Sequence, residues 1–496
     1  MNVPVSASST EEALPQIMGD FSPVDVWQSH MNRVFYGLRS HSLRELYQTF
    51  AAADYRLAYA LATDYYQQVC KRDHAHDQAK ESAHATGSKA ESAPILTVHE
   101  WGCGNGNMAA CFLDCLKALD VDGLVYPRIQ YVLVDSTASV VADAQANPDL
   151  VKHVGRYSVL HADVTDLQAC PDGSVDRIFC NELWSELPTK LLIRKGGDIL
   201  EEHLRPNLKE SRLTDIADWS GFIQAFDQAD GEALKGFPSV LDDIVWEREY
   251  HKVDGKTLSF RKMITEFLRG IDEEVLTPIN VGAAQSMKEA NRLLAPHAIG
   301  FSGFDAGTFD HDVLNDPEKP CYGLHGGQFS FMLNFVLLET TAAHIGARDV
   351  VVELQKEFVG RSLGTNVMSL MDVLASHPNL PKDGQWEIDR LILKTLEVIN
   401  RSYESPYPRS IDFPVSADMP SDHRSEFESL LKSLKSHGVP DTIAYLTEEE
   451  VTQAMPGLEE LGYDREGIMA VFRVPSQGVD YYHFSFAPQN SPSHSG

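Results

Sequence analysis

The sequence predicts an α/β fold with a Rossmann-like sheet, and three observations support this prediction. From Ile95 onward, short β-branched runs alternate with helical patterns, which is typical of β-α-β units and a parallel sheet. A glycine-rich turn at residues 102–106 separates the first strand from the first helix. Acidic residues end three successive strands. Ligands bind beyond the carboxyl ends of such strands, so we expect the functional site there.

The strands and helices follow one another in a regular order. The first four strands are predicted at residues 95–99, 128–134, 156–160 and 175–180. The helices that separate the first three strands are predicted at residues 108–119 and 138–146. Two further strands are expected at residues 298–304 and 349–354. An antiparallel edge strand is expected from one of two apolar runs, at residues 467–474 and 479–487.

Shifts in composition suggest how the chain is divided. Residues 1–72 form an N-terminal helical segment, and the polar, alanine-rich residues 73–94 are predicted to be a flexible linker. The α/β domain spans residues 95–360, with a helical insertion at about residues 190–296 that covers the site. That insertion is inferred from helical stretches such as residues 215–229 and 261–271. Residues 361–496 are predicted to form a C-terminal α+β extension.

Charge and cysteine usage narrow the classes of partner. The chain has 496 residues, and its 72 acidic against 42 basic residues give a formal net charge of −30. Such a charge repels nucleic acid and anionic membrane surfaces and attracts cationic partners. The longest apolar run, residues 331–338, is too short to span a bilayer. The seven cysteines form no Cys-x-x-Cys pair, so we expect a reduced, cytoplasmic protein without a metal site. Its oligomeric state is not predicted.

The glycine-rich turn carries the most specific chemistry of the sequence. Glycines allow a tight turn and the close approach of a ligand, and the following helix N-terminus can receive a carboxylate. The spacing is G-x-G-x-G, with Asn107 where a dinucleotide-binding turn has its third glycine. An acidic residue before the turn suits a cationic ligand. The candidate binding residues here are Glu100, Gly102, Cys103, Gly104 and Gly106.

Two more acidic residues extend the candidate site. Asp135, followed by Ser136, ends the second strand, where a carboxylate can accept hydrogen bonds from two ribose hydroxyls. Asp163, followed by Val164, comes after the third strand, where it can accept from an adenine amine. Taken singly, either aspartate is as well explained as a loop or helix-capping residue. Together with the turn, they favour S-adenosylmethionine over a nicotinamide cofactor.

The fourth strand ends in Asn181 and Glu182, the position that such folds present to a transferred methyl group. Asn181 offers a donor and an acceptor, and Glu182 can orient or deprotonate a nucleophilic nitrogen. These two are the candidate catalytic residues. The alternative for Glu182 is a helix cap, and Trp184 is interpreted as a packing residue.

Four motifs resemble those of the MidA-like family of class I S-adenosylmethionine-dependent methyltransferases, which includes the mitochondrial complex I assembly arginine methyltransferase. The motifs are EWGCGNGN, VLVDS, HADV and CNELWSELPTKLLIRKGG. Residues 303–307 and 325–329 resemble later family segments. The resemblance implies methylation of a protein side chain such as arginine. Glu182 and Glu186 would then clamp the guanidinium and take its proton.

The sequence also departs from this family. The family's N-terminal glycine-tyrosine element is not visible before Ile95, Ser185 replaces an aspartate, and residues 325–329 replace a His-Val-Asp-Phe element. Two alternatives therefore stay open: methylation of a small molecule, or an assembly factor that keeps the fold but has lost activity. His325 is a candidate general base, although a solvated loop histidine is the more common case.

Overall fold

The computed structural model describes residues 17–39, 55–82, 94–256, 258–325, 327–379, 384–402, 419–436, 445–472 and 479–488. The chain divides into two compact units. The smaller unit comprises Met1–Ser40, Ser185–Ala284 and Thr308–Thr340. The larger unit comprises His41–Trp184, Gln285–Gly307 and Thr341–Gly496.

The helices and strands are numbered in chain order. The strands are β1 (Ser22–Pro23), β2 (Leu96–Trp101), β3 (Ile129–Asp135), β4 (Tyr157–His161), β5 (Arg177–Asn181), β6 (Lys190–Lys195), β7 (Asp198–Leu208), β8 (Ile244–Lys252), β9 (Thr277–Ile279), β10 (Gly300–Thr308), β11 (Tyr322–His325), β12 (Gln328–Phe331), β13 (Leu333–Asn334), β14 (Arg348–Leu354), β15 (Val367–Ser369), β16 (Tyr445–Thr447) and β17 (Asp480–Ala487). The helices are α1 (Val24–Arg39), α2 (Tyr55–Ser82), α3 (Asn107–Leu119), α4 (Ala138–Gln145), α5 (Trp219–Asp227), α6 (Gly231–Leu234), α7 (Arg261–Leu268), α8 (Val281–Leu293), α9 (His311–Asn315), α10 (Phe335–His344), α11 (Gln355–Leu363), α12 (Leu370–Ala375), α13 (Gln385–Ile399), α14 (Arg424–Ser436), α15 (Glu448–Glu460) and α16 (Arg465–Val471).

The larger unit is built on a mainly parallel sheet with the order β14-β17-β10-β5-β2-β3-β4. The neighbours from β10 to β4 are parallel, whereas β17 is antiparallel to both β10 and β14. An antiparallel strand inside the sheet separates this fold from the wholly parallel dinucleotide-binding order. The sheet is Rossmann-like, so the predicted α/β fold class is confirmed.

The centre of this sheet is buried on both faces. Val98, Trp101, Ile178 and Phe179 of the neighbouring strands β2 and β5 are almost fully buried, as expected when helices cover both faces of a parallel sheet. Because β2 is central, the turn that follows it is held by a rigid strand. The cysteines of α3 belong to the same core, in agreement with their interpretation as part of an apolar helix face.

Helix α2 extends farther than the sequence predicted. It runs through residues 73–82, the first part of the predicted flexible linker. The residues in this stretch include alanine, glutamine, lysine and glutamate, which favour helix without needing an apolar face. Arg72 pairs with Asp176, and Asp73 pairs with Arg128, which fastens this part of the helix to the unit. The rest of the predicted linker, residues 83–93, lies outside the described residues.

The predicted helical insertion is wrong in its main feature, because the smaller unit is built on an antiparallel sheet. This sheet has the order β1-β7-β6-β9, and β8 also pairs with β7. Helices α5 and α7 lie where helical stretches were predicted. The helical pattern of the sequence did not indicate the β6–β7 hairpin. Its turn consists of Gly196 and Gly197, with φ of 57° and 84°. Two glycines with positive φ form the turn type that favours hairpins.

The C-terminal residues 361–496, predicted as an α+β extension, contribute a strand to the central sheet. Strand β17 lies inside the central sheet between β10 and β14 rather than at its edge, so the sheet continues past residue 360. Helices α12 to α16 form a second hydrophobic core with the β15–β16 pair. Of the two apolar runs that were candidates for an antiparallel edge strand, residues 479–487 supply β17, whereas residues 467–474 lie mostly in helix α16, which Asp464 caps. Among the described residues, no helix has the length and apolar character that crossing a membrane requires.

Candidate functional site

The glycine-rich turn is fixed to the neighbouring strand by its backbone. The amides of Gly102 and Cys103 both donate to the carbonyl of Val134, at 2.8 and 3.2 Å. The amide of Gly106 donates to the carbonyl of Cys103 at 3.0 Å, which closes the turn. On the other side, the Asn147 side chain donates to the carbonyl of Asn105 at 2.7 Å. The turn is therefore rigid before any ligand binds.

Two glycines of the turn have distinct reasons to lack a side chain. Gly104 has φ of 51°, and a Cβ built there meets no atom within 4 Å. Gly106 has φ of 79°, and its Cβ would lie 3.1 Å from Leu150 and 3.3 Å from Leu133. A side chain at position 106 would thus be strained by the positive φ and would crowd two leucines at the start of α3, whereas the space above Gly104 is open to a ligand.

Two carboxyl groups meet at this turn. Asp135 accepts a hydrogen bond from the backbone amide of Thr137 at 2.9 Å, and its carboxylate lies near the amide of Gly104. Burial raises the pKa of Asp135 to about 6, although both amides oppose this shift. Burial also raises the pKa of Glu100 to about 8, against the hydrogen bond of 2.7 Å that Tyr131 donates to it. At neutral pH Glu100 is mostly protonated, and a cation placed nearby would favour the release of its proton.

The remaining residues of the turn and of the second strand have simpler surroundings. Cys103 is buried, and this burial raises the pKa of its thiol well above the ordinary value, so it is a packing residue rather than a nucleophile. Ser136 is exposed, and its carbonyl accepts from the His161 ring at 3.0 Å. This bond joins the ends of β3 and β4.

The Asp163 carboxylate forms a local turn. Its Oδ1 accepts from both the amide and the hydroxyl of Thr165, at 2.8 and 2.7 Å. The aspartate is exposed, while the adjoining Val164 is buried. The loop-capping alternative for Asp163 is therefore realised. Both bonds use the same oxygen, so this capping role is compatible with a ligand contact through Oδ2.

Asn181 and Glu182 lie together at the carboxyl end of β5. Within the described part of the chain, the buried amide nitrogen and oxygen of Asn181 have no hydrogen-bond partner. Glu182 has φ of 50°, a left-handed conformation that is uncommon for a residue with a side chain. Its amide donates to the carbonyl of Phe304 at 2.7 Å. Residues held in such strained conformations cluster at functional sites.

Trp184 is a packing residue, as predicted. Its ring is fully buried and stacks on Phe301 with centroids 5.2 Å apart, and its Nε1 donates to Ser286 at 2.9 Å. A tryptophan packed on both strand and helix in this way has no surface left for a substrate.

Glu186 lies in the smaller unit, where neutral donors hold its carboxylate. Tyr36 donates to Oε2 and Gln328 donates to Oε1, each at 2.6 Å. Gln328 also contacts the Tyr36 hydroxyl at 3.1 Å. The sequence did not reveal Tyr36 and Gln328 as partners of Glu186, because both are distant along the chain. The candidate base His325 ends β11, and its side chain lies outside the described part of the structure.

Comparison with known proteins gives only remote likenesses. No protein-family model and no curated protein matches this chain. A Burkholderia thailandensis protein bound to S-adenosylhomocysteine, whose description suggests a methyltransferase, has 12% identity and a TM-score of 0.46. An uncharacterised protein of the same superfamily and organism has 12% identity and a TM-score of 0.42. Both alignments cover 95% of this chain and 89% of the other.

A third solved structure is a Haemonchus contortus phosphoethanolamine N-methyltransferase in complex with phosphomonomethylethanolamine and S-adenosylhomocysteine. Its identity is 9% and its TM-score 0.29, over 80% of this chain and 50% of that one. At these levels of similarity, the activity of this chain has to be argued from its own residues.

Proposed function

We propose that this protein is an S-adenosylmethionine-dependent methyltransferase. The observation that carries the proposal is the attachment of the glycine-rich turn to the end of β3, where the amides of Gly102 and Cys103 donate to the carbonyl of Val134, the residue before Asp135. The carboxylate that we propose binds the ribose thus lies beside a turn whose Gly104 has open space where a Cβ would stand. The buried amide of Asn181 at the end of β5, which has no hydrogen-bond partner among the residues that the structure describes, adds a polar group suited to a bound ligand.

The residues fit the parts of the cofactor in a definite order. The turn at Gly102, Gly104 and Gly106 and the start of α3 would receive the methionine carboxylate. Asp135 would accept from the ribose hydroxyls beside Ser136, while Glu100 would supply negative charge near the cationic centre. Asp163 would accept from the adenine amine, and Val164 would cover the ring. When bound, the cofactor supplies an electrophilic methyl group on a sulfonium.

The chain's own contribution to transfer is positioning and proton removal. Aligning a nucleophile with the methyl group can contribute about 7–11 kcal/mol. Asn181 would orient the groups at the end of β5. Glu182, held rigidly by its bond to Phe304, would orient the acceptor and take a proton as the bond to the methyl group forms.

The acceptor we propose is a protein side chain, with arginine as the leading case, in a MidA-like, cytoplasmic enzyme. Its support is a carboxylate at the proposed methyl-transfer position, because a guanidinium needs such a partner to localise its lone pair. The formal net charge of −30 adds long-range attraction for a cationic segment.

The cofactor assignment is tested by calorimetric titration of the full chain with S-adenosylmethionine. We expect micromolar binding, and we expect Asp135→Ala to weaken it about 10- to 150-fold, because hydrogen bonds to a charged carboxylate are lost. Asp464→Ala is a matched control, since Asp464 also accepts from a backbone amide, that of Gly467 at 2.7 Å. Its affinity should equal the wild type. No binding by the wild-type chain would remove the proposal.

The two raised pKa values predict a pH dependence of binding. Deprotonation of Asp135 near pH 6 and of Glu100 near pH 8 adds negative charge beside the sulfonium. Affinity for S-adenosylmethionine should therefore rise with pH, by about tenfold between pH 6 and pH 8.5. S-adenosylhomocysteine has no sulfonium, so its affinity should change less. Glu100→Gln should reduce the difference between the pH dependences of the two affinities. Equal pH profiles for both ligands in the wild type would contradict this prediction.

A further inference from the structure

The loop that follows β4 is fastened to helix α8 by one guanidinium. Arg292 donates from Nη2 to the carbonyl of Leu167 at 2.9 Å and from Nη1 to the carbonyl of Cys170 at 3.1 Å. It also pairs with the carboxylate of Asp172. A planar, forked donor can hold several acceptors in fixed positions at once, which a lysine ammonium does less well.

A second residue of α8 binds the same loop. Glu289 is buried, and its Oε2 accepts from Arg292 at 2.7 Å and from the amide of Leu167 at 3.3 Å. One turn earlier, Gln285 donates to the carbonyl of Thr165 at 3.5 Å. Residues spaced by three or four lie on one helix face, so this face of α8 follows the loop from Thr165 to Asp172.

The loop that α8 holds also carries Asp163 and Val164, which directly precede Thr165. Asp163 is exposed and bonded locally to Thr165, so its orientation depends on where Thr165 is held. Fixing a backbone residue in one conformation costs conformational entropy. Because carbonyls and an amide of this loop are already bound to α8, the loop loses less conformational entropy when a ligand binds.

We propose that Arg292 and Glu289 are positioning residues that set the base preference of the cofactor site. They hold the loop so that the Asp163 carboxylate faces the exocyclic amine of adenine. The inference rests on the proposed function. It adds that selection of a 6-amino over a 6-oxo purine depends on residues of α8 that do not touch the base.

The test compares S-adenosylhomocysteine with S-inosylhomocysteine, which carries a 6-oxo group, by calorimetry on the full chain. Wild type should prefer the adenosyl compound about 10- to 150-fold, the range expected for a hydrogen bond to a charged group. Arg292→Met should weaken adenosyl binding by about tenfold and leave inosyl binding nearly unchanged, so the preference should fall by about tenfold, because the carboxylate is no longer held in place. Arg390→Met is the control, since its side chain is 33% exposed against 27% for Arg292 and it pairs with Glu387 and Glu426.

The base preference separates a positioning role from a merely structural one. If Arg292→Met weakens both compounds equally, or leaves both affinities unchanged, the inference is overturned. If this variant does not fold, Arg292→Lys provides the same comparison, with a smaller expected loss of preference. If the wild type binds neither compound, the proposed function itself fails. If the wild type binds both equally, only the assignment of the base-reading loop fails.

Discussion

Glu182→Gln should reduce methyl transfer by about 10²- to 10⁴-fold, the usual contribution of a positioned acid or base. Affinity for S-adenosylmethionine should stay within about threefold of wild type, since the substitution keeps the shape of the side chain. The reason is chemical: a neutral amide can still hydrogen-bond an acceptor, but it cannot take up the proton that leaves as the nitrogen is methylated. The measurement is transfer of labelled methyl from S-adenosylmethionine to peptides containing a single arginine.

Backbone strain at Glu182 requires its own control. Its φ of 50° costs a residue with a side chain about 1–2 kcal/mol, whereas glycine adopts this conformation freely. Glu182→Gly should therefore unfold no more readily than wild type and still be inactive. Wild-type turnover by Glu182→Gln would contradict the catalytic role of Glu182.

The same peptides also test which side chain accepts the methyl group. Counterparts with lysine in place of arginine should receive no methyl group from the wild type. If neither set is methylated although the cofactor binds, the acceptor is of another class, and the small-molecule alternative becomes the one to pursue. If no acceptor of any class is found, the inactive assembly factor is favoured.

The central sheet was predictable because its signals are local. The run into β2, the turn at residues 102–106 and the start of α3 lie within about twenty residues of one another, and each obeys a backbone rule. The antiparallel sheet of the smaller unit depends instead on pairing between distant segments. Strand β7 ends at Leu208, and its partner β8 begins only at Ile244. The one local signal was the pair Gly196 and Gly197, which the helical periodicity of α5 and α7 outweighed.

The candidate cofactor-binding residues could be chosen from the sequence, but their electrostatics could not. A glutamate at the end of a strand suggests a carboxylate ready for a cation. Burial against Tyr131 instead raises the pKa of Glu100 to about 8, which a linear pattern does not encode. The same holds for α8, whose Glu289 and Arg292 have an ordinary i, i+3 spacing. Their contacts with the loop after β4 are visible only in the folded chain.

A buried polar row joins four neighbouring strands of the larger unit. Arg177 of β5 donates to the Ser302 hydroxyl of β10 at 2.8 Å and pairs with Asp64 of α2 at 3.2 Å. Ser302 bonds Nε2 of His483 in β17 at 2.8 Å, and Nδ1 of His483 bonds Glu353 in β14 at 2.9 Å. Since Arg177 donates to Ser302, the hydroxyl proton points to Nε2 and the imidazole proton lies on Nδ1.

The charges along this row are consistent with a neutral histidine. Burial lowers the pKa of His483, so the imidazole is uncharged at neutral pH. Burial alone would raise the pKa of Glu353, but hydrogen bonds from Arg361 and His483 outweigh it and lower this pKa to about 2. Ser302 is fully buried, so the row is a structural network that fixes β17 between β10 and β14, not a hydrolytic site.

Arg177→Met should lower the free energy of unfolding by about 3–5 kcal/mol, the usual loss when one partner of a buried ion pair is removed. Methionine keeps most of the volume, so the loss reflects the unpaired Asp64 and Ser302 rather than a cavity. Urea unfolding of the full chain, followed by tryptophan fluorescence, measures it. Arg465→Met is the control, because its ion pair with Glu459 lies on the surface, and its stability should equal that of the wild type.

A double-mutant cycle decides whether the row acts as one unit. If Arg177 and Ser302 are coupled, combining Arg177→Met with Ser302→Ala should cost less than the sum of the single losses, by about 0.5–3 kcal/mol. Additive losses would mean that each strand contact is independent. A loss below about 1 kcal/mol for Arg177→Met would show that water or a rearranged Asp64 replaces the guanidinium. A coupled row explains how a strand so far along the chain becomes an interior strand, because β17 supplies the histidine that links Ser302 to Glu353.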